Sequence, residues 1–296
     1  MQNTVSVSFE EAKGVIPFNM TNDYMFRYIL QENQTVLEGL VCSLLHLKPE
    51  EVQTIEIRNP IDLGQQITRK DFILDIKVLL NNHTLINLEM QMWDEANWTD
   101  RSLSYLCRNY DQLYRGQEYD EALPVYHIGF LDFTLFPECP EFYATYRMLN
   151  VKNYHLYSDK LTLGVVDLNQ INLATQEDKT YKIDNWARLF KAETWEAIKM
   201  LAKEDKYLEE TAKSLYVANA DELLLEQCRA REEAERHERT IKRDMKQLND
   251  RIAALTEDNT SLKGDIASLK DDNASLKDDN ARLKARIAEL EATQKG

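Results

Sequence analysis

The chain has 296 residues, 43% of them hydrophobic, and a net charge of −15. That length allows one good-sized domain plus an appendage, or two small domains, and the hydrophobic share lets most of the chain bury a core. Residues 1–220 carry 33 acidic against 21 basic side chains, which argues against non-specific binding to a polyanion through Lys and Arg contacts, though not against an acidic nucleic-acid site neutralised by divalent metal ions.

Cys42, Cys107, Cys139 and Cys228 are scattered, with no CxxC and no histidine at zinc-ligand spacing. A structural zinc is not expected, and a reducing compartment is. "MQNTVSVSFEEAKG" has no basic n-region or apolar h-region, and no run of about 18 apolar residues follows, so neither a signal peptide nor a membrane span is expected. The expectation is a cytoplasmic protein.

The first element is 21–47, where Met25, Phe26, Ile29 and Leu30, then Val36, Leu37, Leu40 and Leu44, recur at helical spacing. It reads as one interrupted helix or two short ones, capped by Thr21, Asn22 or Asp23. Residues 50–60 read as a strand stopping at Pro60. A hairpin follows over 71–91. Residues 99–119 form a helix with Leu103, Leu106, Tyr110 and Leu113 on one face, ending at Gly116. The strongly apolar 123–136 suggests a strand covered on both faces. Residues 160–170 are a further strand, and from about 183 the pattern is helical. This order predicts an α/β or α+β domain with helices on a central sheet.

The hairpin carries the chemistry. Alternation puts Asp71, Ile73, Asp75, Lys77 and Leu79 on one face of its first strand and only apolar residues, Phe72 to Leu80, on the other. On the second strand Leu85, Asn87, Glu89 and Gln91 share a face, with Ile86, Leu88, Met90 and Met92 opposite. A three-residue loop, Asn81 to His83, keeps the two apolar faces together, so residue i faces residue 164 − i and Asp75 stands opposite Glu89. Facing carboxylates repel unless a proton or cation lies between them. Mg²⁺ suits such a pair. Two solvated carboxylates on an exposed sheet face fit the same pattern.

The C-terminal segment is a heptad repeat. Leu248, Leu255, Leu262, Leu269, Leu276, Leu283 and Leu290 occupy d, and Met245, Ile252, Asn259, Ile266, Asn273, Asn280 and Ile287 occupy a. Five g–e′ pairs, from Asp258–Lys263 to Arg286–Glu291, are opposite in sign. With three asparagines at a, they favour a parallel, in-register homodimer through residues 241–290. A solvated single helix would not need the leucines. A DNA-binding zipper would need a basic region upstream, where "EEAERHERTIKRDMKQL" is mixed in charge.

Asp75, thirteen residues, then Glu89-Met90-Gln91 resembles the D…ExK hairpin of the PD-(D/E)XK nuclease superfamily. With "NDYMFRYIL" before it and "R…Y…LY…G..Y..LPVYHIGFLDF" after it, the chain is similar to the Rpn family of recombination-promoting nucleases and transposase-like proteins, from about Asn22 to the helices near 230. The resemblance implies a restriction-endonuclease-like core, a central mixed sheet flanked by helices, that cleaves DNA. It implies that Asp75 and Glu89 ligate Mg²⁺, with Mn²⁺ as an alternative, and that Gln91 takes the place where many superfamily members have lysine. Asp23 either approaches the metal or caps its helix. Asp71 is an accessory candidate, and Arg101 and Tyr105 are either phosphate contacts or ordinary surface residues. The expected layout is a nuclease-like domain over 1–175, a helical extension over 176–238 and a coiled coil over 239–293. A weakly active or inactive nuclease fold serving as a dimeric interaction module is the alternative. A ribonuclease-H-like transposase is weaker, since no distant third carboxylate stands out.

Overall fold

A computed structural model describes residues 8–59, 75–94, 97–113 and 116–294. The first predicted helical stretch is two helices, α1 (Asp23–Glu32) and α2 (Gln34–Leu45). The break is at Asn33, whose side chain accepts from the Thr35 and Val36 N–H groups and so starts α2. Asn22 caps α1, accepting from Met25 N–H at 3.1 Å. The apolar residues picked out by their spacing are buried in both helices.

Strand β1 (Ile55–Ile57) is shorter than the predicted 50–60, and Pro60 lies outside the described residues. The hairpin follows as β2 (Ile76–Leu80) and β3 (Thr84–Gln91). Its register pairs Ile76 with Leu88, Val78 with Ile86 and Leu80 with Thr84, the pairing that the alternation requires. The loop is Asn81 to His83, with Asn81 and Asn82 both left-handed at φ 50° and 59°, a conformation that asparagine tolerates better than most residues. Residues 71–74 lie outside the described residues.

Next come α3 (Trp98–Tyr110), β4 (Val125–Leu131), β5 (Tyr143–Arg147) and β6 (Leu161–Asp167). The sheet order is β1-β2-β3-β4-β6-β5, with β3, β4 and β6 parallel and the other pairings antiparallel. Helix α3 makes the crossover from β3 to β4 that a parallel pair requires. It ends at Tyr110, earlier than predicted, where Asp111 meets the negative end of the helix dipole. Its buried face is Trp98, Ser102, Leu106 and Asn109, while Leu103, expected inside, is exposed. Trp98 sets that facing.

After β6 come α4 (Gln176–Thr180), α5 (Ile183–Lys191), α6 (Trp195–Ala202), α7 (Lys206–Asn219) and α8 (Glu222–Gln294). One sheet face packs against α1, α2 and α5 to α7 in a single apolar core. Phe130 of β4 meets Phe26 of α1 and Phe190 of α5 at ring separations of 5.6 and 5.2 Å, both edge-on. The opposite face of β4 packs against α3, with Trp98, Leu131, Ala144 and Val165 forming a second cluster. Strand β4 is therefore covered on both sides, as its apolar run implies.

The chain divides into two compact units, Met1–Glu233 and Ala234–Gly296. In the first, Leu224 and Cys228 of α8 are buried, and Asn22 donates to the Cys228 carbonyl at 3.4 Å. In the second, the a and d leucines and isoleucines, together with Met245, are 52–66% exposed along a helix.

Gly129 fixes the spacing of α3 from the sheet. A Cβ built there would lie 2.2 Å from Trp98 Cζ2, so Gly129→Ala must push the indole, and α3 with it, away from β4. We expect a loss of about 1–3 kcal/mol, measured by urea denaturation; an unchanged midpoint would show that α3 adapts without cost.

Candidate active site on the carboxylate hairpin

Parallel neighbours in a sheet share a face, and β3 pairs with β4 so that Asn87 lies beside His127, Glu89 beside Gly129 and Gln91 beside Leu131. Glu89 and Gln91 thus point to the α3 side. Arg101, one turn into α3, meets both: its Nη2 donates to Glu89 Oε1 and to Gln91 Oε1, each at 2.5 Å. Gln91 Nε2 donates to the Trp93 carbonyl at 2.8 Å, which turns the amide so that its oxygen faces Arg101. The Glu89 and Arg101 side chains are only 13% and 22% exposed, so solvent screens their attraction weakly.

His127 is fully buried. Asn87 Nδ2 lies 2.9 Å from its Nδ1. With the amide donating, the neutral ring carries its proton on Nε2, 3.7 Å from Glu89 Oε2. Burial, with Arg101 adding to it, pushes the imidazole down to about 4. Trp98 and Tyr105 wall the ring at centroid separations of 5.7 and 6.0 Å.

Asp75 immediately precedes β2, one position beyond the Ile76–Leu88 pair. Burial raises its carboxyl above the usual range, opposed by Lys77, Arg27 and a hydrogen bond from Asn87. Its backbone is clamped. Arg27 of α1, wholly buried, donates to the carbonyls of Asp75 and Asn59 and to Gln31 Oε1. Asn59 also donates to the Asp75 carbonyl at 2.9 Å and accepts from Lys77 N–H at 2.8 Å. Burial pulls the Arg27 guanidinium down to about 10 despite the charge of Asp75. A cleft of about 410 Å³ opens alongside, lined by Lys77, Asn87, Asn109 and Tyr110 among others.

The structure therefore brings Glu89, Gln91 and Arg101 together, with Tyr105 against the adjoining His127 and Asp75 at the end of the neighbouring strand. Asp23 is elsewhere engaged: it opens α1 just after the cap, and Arg231 Nε donates to its two oxygens at 2.9 and 2.7 Å. Asp71 lies outside the described residues. Arg27, Asn87 and His127 belong to none of the spaced motifs in the sequence. Arg27 sits inside the quoted "NDYMFRYIL" and His127 inside "LPVYHIGFLDF", where a lone polar residue in an apolar run is the available signal.

Among the described residues no three His, Cys, Asp or Glu side chains gather as a metal-binding group. The donors that do converge are hard oxygens, and Glu89 and Gln91 already direct theirs at one cationic nitrogen. That donor set fits a hard divalent cation, which takes carboxylate and amide oxygens.

Residues 20–245 match the family described as PD-(D/E)XK nuclease family transposase. The chain belongs to this family, and membership implies a phosphodiester hydrolase of a kind that typically uses a divalent metal. A Rab11-FIP3-like domain matches residues 196–295, a segment that includes the heptad helix. No curated protein and no solved structure matches the chain.

The depressed histidine has a stability signature. Above its ordinary value of 6.5 the ring is neutral in both folded and unfolded chains and adds no pH dependence. Below 6.5 the unfolded chain takes up the proton first, so stability falls as pH drops towards about 4 and levels off beneath it. In chelator-treated buffer the wild type should lose on the order of 3 kcal/mol more than His127→Gln across that window; parallel pH profiles would count against the buried neutral ring. Arg27→Met, which strips the clamp from two carbonyls, should cost about 3 kcal/mol or more by the same denaturation assay.

Proposed function

We propose that the protein is a Mg²⁺-dependent endodeoxyribonuclease of the Rpn branch, hydrolysing DNA phosphodiester bonds in recombination or transposition and acting as a parallel homodimer. The observation that carries this reading is the convergence of Glu89 and Gln91 oxygens on one cationic nitrogen, with Asp75 held one step across the hairpin.

Asp75 and Glu89 would hold the divalent cation, which would supply polarisation of a phosphate and a more acidic bound water. The remaining work falls to the chain. Arg27 and Asn59 fix the Asp75 backbone. His127, its ring oriented by Asn87, sets its Nε2 3.7 Å from Glu89 Oε2 and walls that side of the carboxylate. Gln91 offers an oxygen and no charge, and it takes no proton at neutral pH, so it positions rather than acts as a base. Arg101 carries the planar guanidinium that suits phosphate oxygens, and Tyr105 stands one turn further along α3.

The heptad helix supports the homodimer. Its exposed a and d residues form the seam that a second copy covers, and asparagine at three a positions favours two strands in fixed register. Two sites would then be presented together, which suits cutting of paired strands.

A second reading, a nuclease fold kept as a dimeric interaction module, draws support from Arg101, which already neutralises Glu89, and from the acidity of the chain.

Cleavage of plasmid and linear DNA with Mg²⁺ or Mn²⁺ separates the two. The wild type should cut, and Asp75→Ala and Glu89→Ala should each lose at least about a hundredfold in rate, as expected when a metal-held nucleophile is lost; no cutting by the wild type at any metal or salt supports the interaction module instead. In sedimentation, the full chain should run as a dimer and a Leu262→Glu, Leu269→Glu, Leu276→Glu variant as a monomer. A monomeric wild type would refute the zipper.

A further inference from the structure

We infer that Arg101 is a removable counter-ion: it holds Glu89 and Gln91 when no divalent cation is bound, and it competes with the cation for their oxygens. This rests on the functional reading above and adds a control on metal entry to that site.

The geometry is that of a point cation. A guanidinium that simply pairs with a carboxylate does so with two parallel N–H···O bonds. Here one nitrogen, Nη2, sits 2.5 Å from oxygens of two different side chains. Those oxygens belong to a residue proposed as a metal ligand and to the amide two positions along the same strand. A metal ion drawing on Glu89 Oε1 would meet a second positive charge at contact distance, and like charges sharing a site disfavour each other strongly.

Gln91 is not the part that moves. Its amide nitrogen is tied to the Trp93 carbonyl. Glu89 is held in β3 by its pairing with Gly129 of β4, one position past the last β2 pair. Arg101 reaches the site from the end of a long side chain, on a different element from the two oxygens it meets. Its guanidinium carbon lies 5.4 Å from the ring centroid of Trp98, within cation–π range, and Trp98 is itself locked against Gly129. That contact with Trp98 does not depend on Glu89, and a guanidinium released by a cation would suit phosphate oxygens.

The test is calorimetric titration of Mn²⁺ into metal-stripped, full-length protein without DNA. Arg101→Ala should bind Mn²⁺ about tenfold or more tightly than the wild type, the lower end of the range by which a neighbouring charge biases a site, and Arg101→Lys should fall between. In chelator Arg101→Ala should melt below the wild type, and Mn²⁺ should raise its melting temperature more. Should Arg101→Ala fail to fold by circular dichroism, Arg101→Gln, neutral and similar in length, carries the comparison with the same expected tightening. If the wild type binds Mn²⁺ and the neutral variants bind it equally or more weakly, the counter-ion reading fails while the nuclease reading stands. If neither wild type nor variants bind Mn²⁺, both readings fall together.

Discussion

An anion in the middle of a sheet, shut off from most of the solvent, is the constraint around which this molecule is arranged. Glu89 has β4 on one side, the residue just before β2, Asp75, across the other and α3 above. A carboxylate there is tolerable only with compensation close at hand. Arg101 gives it charge and His127 stands by its second oxygen. The absence of a side chain at Gly129, its direct neighbour on β4, lets Trp98 lie close to the sheet, so α3 sits near enough for Arg101 to reach. Each of these features looks ordinary alone. Together they keep one acidic group poised where a folded protein would ordinarily exclude it.

The partner carboxylate is managed differently. Asp75 lies at a strand end, and its position is set through its backbone rather than its side chain. Arg27 spends its buried guanidinium on carbonyls, leaving the Asp75 carboxylate uncommitted to that bond. A buried arginine usually answers a buried acid; here it answers main-chain oxygens on two segments, and joins α1 to the residues flanking the site.

Much of this was legible in the sequence, for a reason that also marks its limit. A strand alternates with a period of two, so "DIKVLLNNHTLINLEMQ" dictates its own register, and the observed pairing follows. The apolar run of β4 and the helical spacings of α1 and α2 carry similar information. A parallel pairing joined by a helix has no such code. Nothing in "LPVYHIGFLDF" says which residue of β3 lies beside His127, so the histidine and Gly129 read as core. Arg27 likewise reads as a polar residue on an amphipathic helix until the carbonyls it reaches are known. Strand β5 has no strand signature of its own, since only Ala144 along it is buried; the edge of β6 makes it a strand. The early end of α3 turns on one aspartate that the apolar spacing overruled.

The Asp23–Arg231 pair carries a consequence for how the molecule comes into being. Its two members are 208 positions apart, and Asp23 is one helical turn from Arg27 on the same face of α1. A chain emerging from the ribosome makes α1 early, yet the guanidinium that answers Asp23 arrives only with the root of α8. Domains fold as units during synthesis. The unit that holds the candidate site is therefore completed last by the segment that leads into the heptads, so the heptad helix begins to emerge as the site it accompanies is finished.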